Sequence, residues 1–306
     1  MLIPARRGHS PATTASALPL QTVSPIDRRT PYMSSQAING RRFLFICGTA
    51  RSGTTALTRI INRHGLIGIG MERFKKIMTR PGCKDQLVPE LFDEARFFDF
   101  EDGLTNILPS NSDAMHRYYD EMRRKFPDLA YVGDKVPNSF RTVEHIHEHF
   151  PYTKYLFIVR DIFETACSWQ ARAERAADAW SPDKGAAVAV RPWNETNLTY
   201  LKMKRAFPDD FHLVDYHEFF NADPEDYTAL DDLCEFLELE PDSRMRGAYA
   251  GALQHNASKV RAKQRELDPE TLRFIAENAD LETYRLVGGR ALVDGSPLKE
   301  YLDRAA

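Results

Sequence analysis

Apolar residues in this chain fall into short unbroken runs, separated by longer stretches in which they recur every three or four positions. Phe43-Leu44-Phe45-Ile46-Cys47 and Tyr155-Leu156-Phe157-Ile158-Val159 are continuous runs bounded by polar residues, the pattern of parallel strands buried on both faces. Ala130-Tyr131-Val132-Gly133 and Phe211-His212-Leu213-Val214 predict further strands, and Gly65–Gly70 predicts an apolar turn or strand. Helical spacing predicts helices over Thr55–Arg63, 111–126, Phe140–Phe150, 162–176, 194–206 and Tyr227–Leu237. Within 111–126 the residues Met115, Tyr118, Tyr119 and Met122 share a face that the core should cover. Residues 71–110 contain Pro81-Gly82 and the cluster Phe92, Phe97, Phe98 and Phe100 without a clear period, which predicts an irregular insertion or lid. Strands alternating with helices predict an α/β domain over 40–306, with a mostly parallel central sheet flanked by helices.

Composition narrows the function classes. With 42% hydrophobic and 28% charged residues in 306, the chain reads as one ordinary globular domain. A formal net charge of −3 argues against a nucleic-acid partner, so any anion site must be built from local cations. No run approaches the length of a transmembrane helix. Cys47, Cys83, Cys167 and Cys234 form no C-x-x-C pair, which points away from zinc and disulfides and toward a cytoplasmic setting. Residues 1–39 are rich in Ser, Thr, Pro, Ala and Arg, with Asp27 their sole acid. A disordered tail and a transit peptide share that composition. His145, His147 and His149 alternate along a predicted helix, and we read them as not sharing one face, against a metal site.

Chemistry enters after the first strand. Gly48-Thr49-Ala50-Arg51-Ser52-Gly53-Thr54-Thr55 has the phosphate-cradle spacing G-x-x-x-x-G, followed by a helix. Thr54 stands where a nucleotide triphosphatase carries lysine, and Arg51 supplies a cation inside the loop. The amides of Ser52, Gly53, Thr54 and Thr55 should converge on an anion at the helix N-terminus, with Arg51 able to grip two oxygens. A bare strand–turn–helix connection would not need that density of donors. The second apolar strand ends in Arg160-Asp161, with Ser168 two turns into the next helix, a combination suited to a second phosphate. The bland alternative pairs Arg160 with Asp161 or Glu164. Two such sites on one sheet imply a nucleotide phosphorylated at two places, bound beyond the carboxyl ends of the strands.

On these residues the chain resembles the sulfotransferases that use 3′-phosphoadenosine-5′-phosphosulfate (PAPS), a P-loop-like fold. Gly48–Leu57 is similar to that family's 5′-phosphosulfate loop, and Ile158-Val159-Arg160-Asp161 with Ser168 to its 3′-phosphate site. His212–Phe220 running on to Leu237 resembles a later strand and helix, and the likeness covers roughly 41 to 265. The resemblance implies a PAPS donor, no metal, and a hydroxyl or amine acceptor. Members with a histidine base carry Lys-x-His before a proline. Gly133-Asp134-Lys135-Val136-Pro137 keeps Lys135 without that histidine. Gly70-Met71-Glu72-Arg73 resembles instead the segment supplying a glutamate base in protein-tyrosine and polysaccharide sulfotransferases, so Glu72, Lys135 and Arg51 are the implied catalytic residues. Pairing of Glu72 with Arg73, or of Lys135 with Asp134, is the bland alternative for each. Lys259 and Arg261 are implied as further ligands of the 3′-phosphate. The glutamate pattern tilts the acceptor toward a carbohydrate, polysaccharide or peptide, on which Phe97, Phe98, Trp180 or Trp193 could stack if they are not core. A Mg²⁺-dependent P-loop kinase is the rival reading, with Asp161 as the metal-holding aspartate.

Overall fold

The computed structural model describes residues 40–105, 112–175, 180–260, 267–289 and 297–305. The expectation for residues 1–39 lies outside them, as do Arg261 and the side chain of Lys259. In chain order the elements are β1 (Arg42–Gly48), α1 (Thr54–Ile61), β2 (Ile67–Met71), α2 (Lys75–Thr79), α3 (Glu94–Phe97), α4 (Asp113–Lys125), β3 (Tyr131–Lys135), α5 (Val143–His149), β4 (Thr153–Val159) and α6 (Ile162–Ala173). They continue with α7 (Val190–Ala206), β5 (Phe211–Asp215), α8 (Tyr216–Phe220), α9 (Thr228–Phe236), α10 (Ser243–Val260), α11 (Pro269–Asn278), α12 (Leu281–Leu286) and α13 (Pro297–Ala305).

All five strands are parallel, in the order β2-β3-β1-β4-β5, so the expected α/β architecture holds. The apolar runs split their side chains strictly between two cores. Phe43, Phe45 and Cys47 of β1 and Tyr155, Phe157 and Val159 of β4 enter the core beneath α4, α5 and α7. Leu44 and Ile46, with Leu156 and Ile158, enter the opposite one beneath α1, α9 and α10. A strand covered on both faces needs no polar position, which is why these runs show no alternation. Gly133 is required by the close approach of β3 to β1, because a Cβ there would stand 1.7 Å from Leu44 O.

The described part of 71–110 is not an irregular lid. It forms α2, α3 and 3₁₀ turns at 84–86 and 89–92, and its aromatics are core. Phe92 is 1% exposed and packs edge-on against Phe43, Phe45, Phe74 and Phe150. Arg73 anchors the segment from within. It is fully buried, donates to the carbonyls of Phe97, Arg96 and Asp99, and pairs with Asp102 Oδ2 at 2.5 Å. The three histidines of α5 do not share one face. His145 and His149 lie four residues apart on α5 and stack at 4.2 Å, sharing a face, whereas His147 turns toward Phe207.

Candidate active site

Four chain segments deliver functional groups to the carboxyl end of the sheet: the loop after β1, Glu72 after β2, Lys135 at the end of β3, and Arg160 after β4. β1 lies between β3 and β4, so the loop sits where the connections diverge to either side, the usual ligand position in such sheets.

The loop conformation is costly and well supported. Gly48 and Gly53 have φ of 154° and 102°, and Arg51, which has a Cβ, is held at 77°. A Cβ on Gly53 would come within 2.9 Å of the Tyr216 ring. Five non-glycine residues among those described have positive φ; Arg51, Glu72 (59°) and Asn138 (61°) are three of them, and all flank this site. Strain gathered in one place marks a geometry that the surroundings impose. The supports are visible. Asn138 accepts from Ala50 N at 2.9 Å and donates its own amide to Gly48 O at 2.9 Å. Trp169 Nε1 donates to Ala50 O at 2.8 Å, and Arg160 Nη1 to Arg51 O at 3.3 Å. Ser52 donates both its hydroxyl, at 2.7 Å, and its amide, at 3.1 Å, to Thr49 O, so Ser52 closes the turn from within.

Lys135 joins the cradle to the carboxylate. Its ammonium is 1% exposed and lies 3.2 Å from Thr55 Oγ1 and 3.2 Å from Glu72 Oε1. Lys75 grips the other Glu72 oxygen, so the carboxylate pairs with two lysines and not with Arg73. Burial alone would raise the Glu72 pKa, but the Lys135 and Lys75 charges and hydrogen bonds hold it below the usual carboxylate value. Glu72 is therefore ionised at neutral pH. Asp134 does not pair with Lys135 as a surface partner. It is fully buried, accepts from the amides of Arg73, Phe74 and Lys135, and so fixes the turn that carries Glu72. Burial pushes the Asp134 carboxyl up to about 6 despite those amides.

The second basic site adjoins the first. Arg51 Nε donates to Ser168 Oγ at 3.1 Å, so the loop arginine reaches toward the helix expected to meet Arg160 alone. Arg160, 9% exposed, does pair with Glu164, its Nε standing 2.9 Å from Oε2, and its guanidinium lies 3.9 Å above the Tyr216 ring. Glu164 engages Nε and Arg51 O engages Nη1, while Nη2 makes no hydrogen bond to a described residue. Burial alone would raise Glu164 too, but the adjoining His217 and the Arg160 charge bring it down to about 2. Asp161 caps α6, accepting from Glu164 N at 3.0 Å, and burial pushes it up to about 6.

Some expected acceptor contacts are core. Phe97, Phe98 and Trp193 are at most 8% exposed, and Trp193 Nε1 donates to Arg160 O at 2.9 Å. Trp180 remains half-buried, edge-on to Trp169 and beneath Arg172 and Lys184. Asn138, Lys75 and His217 were not foreseen. Asn138 carries the one available signal, a lone amide in the turn that follows the strand-end Lys135; the others carry none.

Comparison with known proteins places the chain. A family model described as "Sulfotransferase family" matches residues 44–243, well over half the chain. Among solved structures, the sulfotransferase domain from the curacin biosynthetic pathway is 18% identical, covering 78% of this chain and 97% of that one with a TM-score of 0.45. The sulfotransferase domain from the Synechococcus olefin synthase is 20% identical, covering 82% of this chain and 94% of that one with a TM-score of 0.48. A mouse sulfotransferase complexed with PAP is 14% identical, covering 86% and 89%, with a TM-score of 0.44. A search of curated proteins found no match. The chain belongs to the sulfotransferase family.

Proposed function

We propose that this PAPS-dependent sulfotransferase moves the sulfuryl group to a hydroxyl or amine of a carbohydrate, polysaccharide or peptide acceptor, with Glu72 as general base. The observation that carries the reading is the single buried ammonium of Lys135, hydrogen-bonded at once to the cradle at Thr55 and to Glu72. That arrangement sets a proton acceptor and a cation within one hydrogen-bond step of the site for the donor's reacting end.

The residues suit the donor. The amides of Gly53, Thr54 and Thr55 at the start of α1 face an anion beyond β1, and the strained turn at Arg51 leaves the backbone open to it. Arg160 and Ser168, reached by Arg51, would hold the 3′-phosphate. Lys259 and Arg261 remain candidates for the same phosphate. In the reaction the acceptor oxygen forms its bond to sulfur while the bond from sulfur to the bridging phosphate oxygen breaks. Glu72 takes the acceptor's proton, an assistance worth typically ~10²–10⁴-fold. Lys135, Arg51 and the loop amides stabilise the charge that collects on the bridging and equatorial oxygens. As Lys135 turns part of its charge toward that oxygen, Glu72 loses a neutralising partner and becomes a stronger base.

Replacing Glu72 by Gln tests the assignment. Turnover should fall at least about 10²-fold, while calorimetric affinity for adenosine 3′,5′-bisphosphate stays close to that of the unmodified protein. Unchanged turnover removes Glu72 from the mechanism.

A further inference from the structure

Behind Arg160 runs a set of polar contacts that reaches the arginine from two sides: hydrogen bonds as far as His217, then a close His217–Glu164 pair. The Phe220 carbonyl can only accept, so Asn256 must present Nδ2 to it, at 3.0 Å. That choice leaves Asn256 Oδ1 to accept from Tyr216 OH at 3.0 Å, and lets the same Nδ2 reach Asn221 Oδ1 at 2.7 Å. Asn221 then has only its Nδ2 to offer His217 Nδ1, at 2.8 Å. A ring that accepts at Nδ1 carries its hydrogen at Nε2, and His217 Nε2 lies 3.1 Å from Glu164 Oε2, a close pair whose alignment falls short of a hydrogen bond in this structure. The same Glu164 oxygen accepts from Arg160 Nε at 2.9 Å. The chain's first member, Tyr216, supports the Arg160 guanidinium from below with its ring.

We propose that His217 is a positioning residue for the donor's 3′-phosphate. It holds Glu164 so that the carboxylate takes Arg160 by Nε and turns the guanidinium edge outward. Without the Nε2 donor, Glu164 is free to rotate and engage the Nη edge, the usual two-pronged carboxylate–arginine geometry, which would cover the edge the phosphate needs. The inference rests on the reading of Arg160 as the 3′-phosphate ligand. It adds a group that touches no substrate and discriminates a nucleotide bearing a 3′-phosphate from one without it.

The test compares two nucleotides by calorimetry, adenosine 3′,5′-bisphosphate and adenosine 5′-monophosphate. His217→Leu should weaken the bisphosphate about tenfold, the scale of one misdirected charge-assisted contact, and leave the monophosphate unchanged. His217→Gln, whose amide can donate from the place of Nε2, should return the bisphosphate to within about threefold of wild type. Asn221→Ala, at an exposed position that the fold tolerates, should lose part of the same preference. Equal bisphosphate affinity in wild type and His217→Leu, equal weakening of both nucleotides, or no rescue by Gln would each overturn the relay. Wild-type protein that binds neither nucleotide would overturn the donor reading and the relay with it, an outcome distinct from the other three.

Discussion

Replacing Lys135 by Met separates the two tasks assigned to its ammonium. The side chain is almost fully buried, donates to Thr55 Oγ1 and Glu72 Oε1 at 3.2 Å each, and is one of two cations paired with Glu72 among the described residues. Met fills much of the same volume, so the change removes charge more than packing. Losing a preorganised donor to the developing oxyanion should lower kcat by about 10²–10³, or about 2.7–4 kcal/mol. The second consequence appears in the pH profile. Glu72 is held below the usual carboxylate value by Lys135 first and Lys75 second, against a burial that pushes the other way. With Lys135 gone, burial is opposed by Lys75 alone and the Glu72 pKa must rise. A base works only when deprotonated, so activity falls as pH drops through its pKa, and the acid limb of kcat should shift to higher pH in Lys135→Met. Sulfuryl transfer from PAPS, followed from acid to neutral pH in both proteins, measures the two effects separately. A lowered kcat with the acid limb unmoved would refute the coupling of Lys135 to Glu72.

Two further substitutions probe the frame that carries the site. Gly133→Ala forces a Cβ to 1.7 Å from Leu44 O between β3 and β1, so thermal unfolding should show a loss of more than about 4 kcal/mol or no soluble protein; an unshifted melting temperature would contradict the strand register. Lys125 plugs the end of α1 by donating to the carbonyls of Asn62, His64 and Ile67, and burial pushes it down to about 8 from an ordinary 10.5. Its contribution to stability is complete above 10.5 and lost as pH falls through about 8. Chemical denaturation between these pH values should therefore show a steeper rise in stability with pH for wild type than for Lys125→Met, and identical slopes would remove Lys125 from the linkage.

The parts of this molecule legible in sequence are those where one local rule acts alone. β1 and β4 were plain because burial on both faces leaves no room for polar residues, and the cradle was plain because glycine spacing and hydroxyl density have few other uses. The segment after β2 was misread because its helices are one turn long, too short to display a period, and because Arg73 looks like a surface charge until Asp102 and three carbonyls surround it. Glu72 was singled out by resemblance, and its role as a base stays a proposal. Lys135 was singled out with it, but their ion pair was not foreseen, since Lys135 arrives on a different strand, and Lys75 on a short helix was not foreseen at all. Asn138 and His217 meet segments distant in sequence, the kind of contact that no local pattern encodes.

The central claim is that the cradle after β1 and the Arg160 site bind one doubly phosphorylated adenosine. Calorimetric titration of adenosine 3′,5′-bisphosphate, with divalent cations chelated, tests it most directly in wild type and in an Arg51→Met, Arg160→Met double variant. The account predicts saturable one-to-one binding by wild type and its loss in the variant. Absence of binding by wild type, a requirement for Mg²⁺, or equal binding after both arginines are replaced would contradict it.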